Sequence, residues 1–414
     1  MPRGLGDIPD LRLEVLEKLV TKFMTPPNLI LSNLFPSSDS PSSTVKWESM
    51  EGGRGMAPLK PPGAPTPTSY PLGVAQHSAE AAFWGDKRYY DEEFLNNLRK
   101  EGTESEYMEA RTRLAREMAD LVNRANRRRE WLFANMITSG TTTYSTKGGV
   151  KVSVDYQIPT THSVTLGTAY KWSNGTSRDI LSDIIDGKKL ISDDCGAMVD
   201  MAICNSTVLK YLAMDPTIQT ILQKSAFGNG DLFGAGNRLL GVNPNVIAQL
   251  LDIPRLVIYD EKFEARAYLT AAVTGSSTTT VYVEDASDFV AGGTLRFVDT
   301  SAGTYEDETI SSVDAEAGTV TISTAPTASF KSYEDYVVMR KSYIPDDKFI
   351  MMATRVDGMP IAEYKRAPYG NSRSYGLKTD QWETKDPEGI YIRVQDKGLP
   401  VLYQRDALYI LDVA

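Results

Sequence analysis

One stretch limits the folds open to this chain more than any other. Apolar side chains at Tyr107, Ala110, Leu114, Met118, Leu121, Ala125, Leu132 and Met136 recur at spacings of three, four or seven residues, the repeat that lines one face of an α-helix. Thr103 supplies a capping side chain ahead of the acids Glu104 and Glu106, and Gly140 supplies a stop. The spacing predicts a helix from Thr103 to about Thr138, roughly 50 Å long and therefore long for a globular helix.

The segments on either side have their own character. Residues 1–42 read as an N-terminal arm: an amphipathic stretch from Leu11 to Phe23, a stop at Pro26-Pro27, then extended chain through Leu29-Ile30-Leu31 and Leu34-Phe35. Residues 43–102 read as a protruding hairpin and its connection, with strand-like runs at Ser43 to Met50 and near Val74 to Trp84. Between those runs lie prolines 58, 61, 62, 65, 67 and 71, a composition that builds no core and stays extended. After the helix, the Thr- and Val-rich run Thr141 to Leu166 reads as a hairpin turning at Gly148-Gly149, and residues 103–176 make one unit with it. Residues 177–267 read as one further domain, in which 177–224 return to helix, broken at Asp215-Pro216, and Arg255 to Tyr259 form a short apolar strand.

From 268 to 338 the pattern changes to short alternating runs of Thr, Val, Ser and Gly, the signature of a separate small all-β domain. Eleven carboxylates face only Arg296 and Lys331 there, so this segment carries −9 of the chain's net charge of −10. Such asymmetry marks an inserted, solvent-facing module. Residues 339–414 supply closing strands, and the fold class is α+β.

Composition removes several functions. No Walker loop, G-x-S-x-G or H-E-x-x-H occurs. With two histidines, His77 and His162, and two cysteines, Cys195 and Cys204, in a segment that reads as helical, neither a zinc site nor a disulfide framework is expected, and both thiols read as buried. The glycine-rich run Gly228 to Gly236 lacks the Lys-Ser/Thr of a phosphate cradle and reads as a loop. The triplet Glu306-Asp307-Glu308 lacks a calcium-binding loop and reads as a solvated turn. Net negative charge argues against general nucleic-acid binding, which needs clustered cations. The basic run Arg127-Arg128-Arg129, with Arg124 beside it, is matched on its helix by Glu104, Glu106, Glu109, Glu117, Asp120 and Glu130, so ion pairs are its expected use. No apolar run is long enough to cross a membrane and Met1 to Leu11 has no leader pattern, so synthesis in the cytoplasm is expected.

The order of arm, loop-tipped hairpin, long Arg-rich helix, hairpin, helical domain and β-rich C-terminus resembles the Hong Kong ninety-seven type capsid fold of tailed bacteriophages, with its N-arm, E-loop, spine helix, P-domain sheet and A-domain. Leu34-Phe35-Pro36 followed by Ser43-Thr44-Val45-Lys46-Trp47-Glu48, then Gly55-Met56-Ala57-Pro58 and Pro61, is similar to the lambda-type major head protein family. So is the closing stretch from Lys348-Phe349-Ile350 through Tyr369-Gly370, Lys385-Asp386-Pro387, Ile390 to Val394 and Leu399-Pro400-Val401. The resemblance covers most of 10–265 and 340–414 and leaves out 268–338, as expected of an insertion in the A-domain.

The resemblance implies a non-enzymatic major head protein without catalytic residue, cofactor or metal. Self-assembly into hexamers and pentamers of an icosahedral shell is implied, built in the host cytoplasm and ending in the virion. Portal, scaffold or maturation protease and a decoration protein are the implied partners, with double-stranded DNA enclosed but not specifically bound and no membrane engaged. An encapsulin-like protein compartment is the alternative sharing this fold. Lys46, Trp47 and Glu48 on the hairpin, Phe83 and Trp84 beyond it, and Arg124, Arg127, Arg128 and Arg129 on the helix are expected at intersubunit contacts, with a core role equally open for Trp47 and Trp84.

Overall fold

The structure, a computed structural model, describes residues 11–22, 26–50, 56–63, 65–66, 74–91, 93–95, 104–145, 151–175, 177–224, 243–370, 374–385 and 388–414. The Gly228 to Gly236 run and the Gly148-Gly149 turn lie outside them. The chain divides into two compact units, one of residues 1–134, 190–198 and 353–407 and one of 135–189, 199–352 and 408–414.

The first unit is organised around a 15-residue strand, Glu388–Leu402. Strand Ala82–Asp91 pairs antiparallel with it from Ala82↔Gly398 to Asp91↔Gly389, and Lys378–Lys385 pairs with it from Lys378↔Gln395 to Lys385↔Glu388. Its last residues pair with Ala362–Arg366, which in turn holds Ser37–Asp39 in parallel. Strand side chains alternate between faces. Tyr90, Ile390, Ile392 and Val394 take one face and pack on Ala110, Leu114, Met118, Leu121 and Val122 of the long helix, together with Leu16 and Val20 of helix Leu13–Lys22 and Leu11 just ahead of it.

The long helix runs from Glu104 to Ser139, 36 residues as its periodicity predicts. Gly140, at a φ of +66°, ends it in the left-handed conformation that glycine adopts without strain. The hairpin predicted upstream is present: Thr44–Met50 pairs with Val74–Glu80 in a register running from Thr44↔Glu80 to Met50↔Val74.

The arm departs from expectation. Ile30–Leu34 is a short helix rather than extended chain, with Leu29, Leu31 and Phe35 buried. Its physical cause is Glu130, a fully buried carboxylate that accepts hydrogen bonds from the backbone N–H of Leu31 at 2.8 Å, that of Ser32 at 2.7 Å and the Ser32 hydroxyl at 2.6 Å. A distant side chain thus satisfies first-turn donors that a five-residue helix cannot satisfy itself. Phe35 stacks on Phe133 at 5.2 Å.

The second unit has a five-stranded sheet ordered Ser163–Thr165, Leu408–Asp412, Lys348–Met352, Met201–Cys204, Arg255–Ile258. Met201–Cys204 is a buried strand inside the span expected to be helical between 177 and 224. Helices Ile180–Cys195, Ser206–Ala213 and Pro216–Lys224 surround it in sequence. A four-residue all-apolar run has no periodicity to separate strand from helix, so the helical pattern on either side masks it. Cys204 closes that strand and Cys195 closes the preceding helix, both buried. Gly187 lets the helix lie flat on the sheet, since a Cβ there would strike Met351 and the Tyr409 ring. The pair Thr141–Ser145 and Lys151–Asp155 forms the predicted hairpin.

The acidic segment folds as a six-stranded sheet in the order Lys262–Tyr268, Tyr336–Ser342, Thr294–Val298, Tyr305–Asp314, Thr319–Ile322, Thr280–Tyr282. Its two edges meet: Thr270 N–H donates to Tyr282 O at 2.9 Å and Glu284 N–H to Tyr268 O at 3.0 Å. The sheet therefore closes into a small barrel with no free edge along this seam. Leu269, Val281, Val283, Leu295, Phe297, Ile310, Val320, Phe330, Val337 and Met339 fill it. The barrel sheet is wider than the expected 268–338, because Lys262–Tyr268 and Tyr336–Ser342 form its longest ladder. The inward residues of Lys262–Tyr268 include Ala265 and Ala267, small side chains that carry little strand signal. The triplet Glu306-Asp307-Glu308 lies on a strand, not a turn. Asp307 grips Arg296 at 2.7 and 2.6 Å, while Glu306 on the alternate side bonds the Thr327 hydroxyl and Ala328 N–H, so the three do not converge on an ion. Those bonds hold both carboxyls below the usual carboxylate range.

A barrel with its own sealed core is expected to open as one cooperative segment. Phe297→Ala is expected to cost the barrel about 3–5 kcal/mol. Strand-resolved hydrogen exchange should then show lost protection within 262–342 and none in Glu388–Leu402.

Candidate functional site

Strand Ala82–Asp91 sorts the predicted contact residues by parity. Trp84, Asp86, Arg88 and Tyr90 face the long helix. The Trp84 indole N–H donates to Ala125 O at 3.1 Å, Asp86 pairs with Arg124 at 2.9 Å, and Arg88 pairs with Asp120 and, at 3.7 Å, with Glu117. Arg124 also bonds Asp120 at 3.0 Å across one helical turn. Trp84 and Arg124 are thus brought together along one seam between strand and helix, with Trp84 half-buried and Arg124 exposed at its rim.

The basic triplet fans out, because successive helical residues point about 100° apart. Arg127 is exposed, Arg128 is half-buried over the Trp131 ring at 5.2 Å, and Arg129 turns inward. Arg129 pairs at 2.6 Å with Asp396, which is fully buried, and lies 4.5 Å from the centre of the Tyr364 ring. Tyr364 O–H donates to the same Asp396 oxygen at 3.2 Å, and Lys397 N–H donates to the other at 2.8 Å. Burial works against the Arg129 charge, but Asp396 and Tyr364 outweigh it and its pKa rises.

On the hairpin the same parity separates Trp47 from its neighbours. Trp47 is 6% exposed and stacks on His77, its cross-strand partner, at 5.3 Å. His77 bonds Ser49 at 2.8 Å. Lys46 and Glu48 point to solvent, and Glu48 accepts from the Gln76 amide at 3.1 Å.

The outward parity of Ala82–Asp91 carries Phe83, Lys87 and Tyr89. Phe83 is 58% exposed and meets Tyr369 edge-on at 6.1 Å. Tyr89 stands in register with Tyr391 and Trp382 on the two neighbouring strands, forming one row across the sheet. The ring centres are 5.2 Å apart for Tyr89 and Tyr391 and 5.5 Å for Tyr391 and Trp382. The next row holds Lys87, 4.7 Å from the Tyr391 ring centre, and Arg393, 5.4 Å from that of Trp382 and bonded to Asp380 at 2.6 Å. Sequence reasoning missed this row. Its signal, apolar residues on both parities of Ile390 to Val394, is visible but does not pair residues about 300 positions apart. Glu130 and Asp396 were likewise missed as buried anchors, since both sit in ordinary charged surroundings in the sequence.

Among the described residues no group of three or more His, Cys, Asp or Glu side chains gathers to hold a metal, and no helix is long and apolar enough to cross a membrane.

The sequence profile of a family described as phage major capsid protein E matches residues 13–243 and 304–413. Among solved structures, a prophage protein of Escherichia coli CFT073 assigned there to the capsid aligns with a TM-score of 0.50 at 12% identity, covering 96% of each chain. A phage-related protein of Bordetella bronchiseptica RB50 aligns at 0.48 and 10% identity over 97% of each chain. The capsid of cyanophage P-SCSP1u aligns at 0.42 and 10% identity over 92% of this chain and 86% of that one. The Escherichia coli protein shares the fold. No curated protein matches the chain by sequence.

Two outcomes follow from the buried anchors. Asp396→Ala strands the Arg129 charge and is expected to destabilise the first unit by roughly 3–5 kcal/mol in urea unfolding, whereas Glu48→Ala on the solvent side shifts the midpoint little. Burial holds Tyr364 and Tyr369 protonated well past the ordinary tyrosine value of 10.0. With the folded value raised, their stabilisation is complete below pH 10 and is lost as pH climbs beyond it. Tyrosinate absorbance should therefore appear for these groups together with unfolding, not ahead of it.

Proposed function

The chain belongs to the phage major capsid protein E family, and from that premise we propose how it builds the shell. It is a major capsid subunit of the phage head, a structural protein of the virion. The profile match, spanning most of the chain, carries this reading and favours a genome shell over an encapsulin-like cargo compartment.

The subunit forms hexamers and pentamers that close an icosahedral lattice around double-stranded DNA. A net charge of −10 supports enclosure without specific binding, since the polymer meets no cationic trap. The hairpin Thr44–Glu80 reaches a neighbouring subunit. In the single chain the tip residues Met56 and Leu59 are 94% and 102% exposed, surface that repeated neighbours can cover. Lys46, Glu48, Phe83 and Arg127 stand on the surface as intersubunit contacts. Arg124 is exposed beside them on the helix, while Trp47, Trp84, Arg128 and Arg129 support those contacts from within the subunit. Many weak contacts summed around a closed lattice give the shell its stability.

The barrel is an addition to the shell fold and faces outward, where a decoration protein attaches. In support, the profile skips 244–303, which holds its first strands, and its ends are adjacent, with Lys262 paired to Ser342. Portal, scaffold and maturation protease complete the partners, with assembly in the host cytoplasm.

Electron microscopy of the purified chain, concentrated across a range of salt, should show closed shells. A persistent monodisperse monomer would overturn the reading. Replacing 262–342 by a two-residue turn should leave shells intact and remove outward density; loss of all particles with the monomer still folded would show that the barrel is part of the lattice.

A further inference from the structure

The row Tyr89–Tyr391–Trp382 is an aromatic strip on the open face of a sheet whose other face is sealed against the long helix. Tyr89 is 37% exposed, and Tyr391 and Trp382 are half-buried by each other and by the cations beside them. Aromatic rows of this kind, Trp and Tyr with rings held upright, are what polyproline helices dock on, because such a helix offers rigid apolar rings at low entropic cost. The same chain carries that ligand. Pro58-Leu59-Lys60-Pro61 and Pro62-Gly63-Ala64-Pro65 are two consecutive P-x-x-P repeats in the hairpin tip. The described residues of 56–66 have no regular secondary structure and are exposed.

The dimensions agree. One turn of polyproline helix advances about 9.3 Å over three residues. Two strand spacings, the separation of Tyr89 from Trp382, are about 9.6 Å. Prolines three apart therefore match the spacing of the first and third rings, with Tyr391 midway between them. The tip does not serve its own sheet. Met56, Leu59 and the other described residues of 56–66 are exposed, so in the single chain the tip is covered by no surface of its own subunit.

We infer that the proline-rich hairpin tip of one subunit docks as a polyproline helix across the Tyr89–Tyr391–Trp382 row of a second copy. This rests on the shell reading and names the surface and chemistry by which the hairpin engages its neighbour. Lys87 and Arg393 hold the rings upright and leave their outer edges to the prolines.

Two measurements test it. In the first, chains bearing Leu59→Cys are co-assembled with chains bearing Thr384→Cys, two residues from Trp382 on the same strand face, and treated with a short thiol-to-thiol cross-linker. The native cysteines are buried, which keeps background low. A covalent dimer on a denaturing gel is expected; shells that form but yield no more dimer than a control pairing Leu59→Cys with Ser301→Cys on the barrel overturn the inference. In the second, a fluorescent peptide of residues 56–66 is titrated into unassembled full-length chain. Binding is expected, weakened about tenfold or more by Trp382→Ala, restored by Trp382→Phe, and abolished when the peptide's four prolines become alanine. Absence of binding, or binding indifferent to Trp382, overturns it. Should the chain never assemble, the shell reading fails and this second measurement alone decides the pairing of tip and row.

Discussion

The alternation of side chains along Ala82–Asp91 and Glu388–Leu402 is the constraint on which the first unit depends. One parity, Tyr90, Ile390, Ile392 and Val394, is sealed against the long helix. The other, Lys87, Tyr89, Tyr391 and Arg393, is left open. A slip of one residue in that register would expose the isoleucines and bury the cations at once, so the pairing is strongly specified. The same alternation decides which predicted contact residues can meet another molecule: Phe83 points out and Trp84 points in, although they are adjacent.

Buried charge then fixes where remote segments attach. Glu130 and Asp396 are each fully shielded and each receive three hydrogen bonds, all from a segment about 100 residues upstream for Glu130, and for Asp396 from Arg129 about 270 residues upstream, from Tyr364 and from the adjacent Lys397 N–H. Burying a carboxylate is costly unless its donors are all in place. Apolar packing alone tolerates small shifts of the Ile30–Leu34 turn on its support; three bonds to one carboxylate do not. These anchors therefore act on position more than on net stability, which suits a subunit whose copies must present identical surfaces.

The long helix, the hairpin Thr44–Glu80 and the acidic β-module are legible in the amino-acid pattern, because each carries a local signal: a helical period, paired strand runs around prolines, and a shift to Thr, Val and Gly. What the pattern hides is non-local. Met201–Cys204 is a strand only because Lys348–Met352 and Arg255–Ile258 flank it. Ile30–Leu34 is a helix because Glu130 caps it from another element. Arg129 reads as one more surface cation in a basic run, yet Asp396 and Tyr364 enclose it. The Tyr89–Tyr391–Trp382 row is assembled from three strands, and no one of them reveals it.

The barrel shows the complementary logic. Its seam, Thr270 to Tyr282 and Tyr268 to Glu284, closes the sheet on itself, so its hydrogen bonds and its core make no demand on the rest of the chain. Its first and last strands are each other's partners, and Lys262 lies opposite Ser342. Strand neighbours sit about 5 Å apart, a gap that a tight turn also spans, so a whole barrel can occupy the place of a turn without moving the strands that lead into it. Segments that must stay in register are pinned by shared carboxylates and alternating faces, while this one is attached at two adjacent points. Its net acidity can therefore change what the surface offers to partners without changing how the subunit holds its own shape.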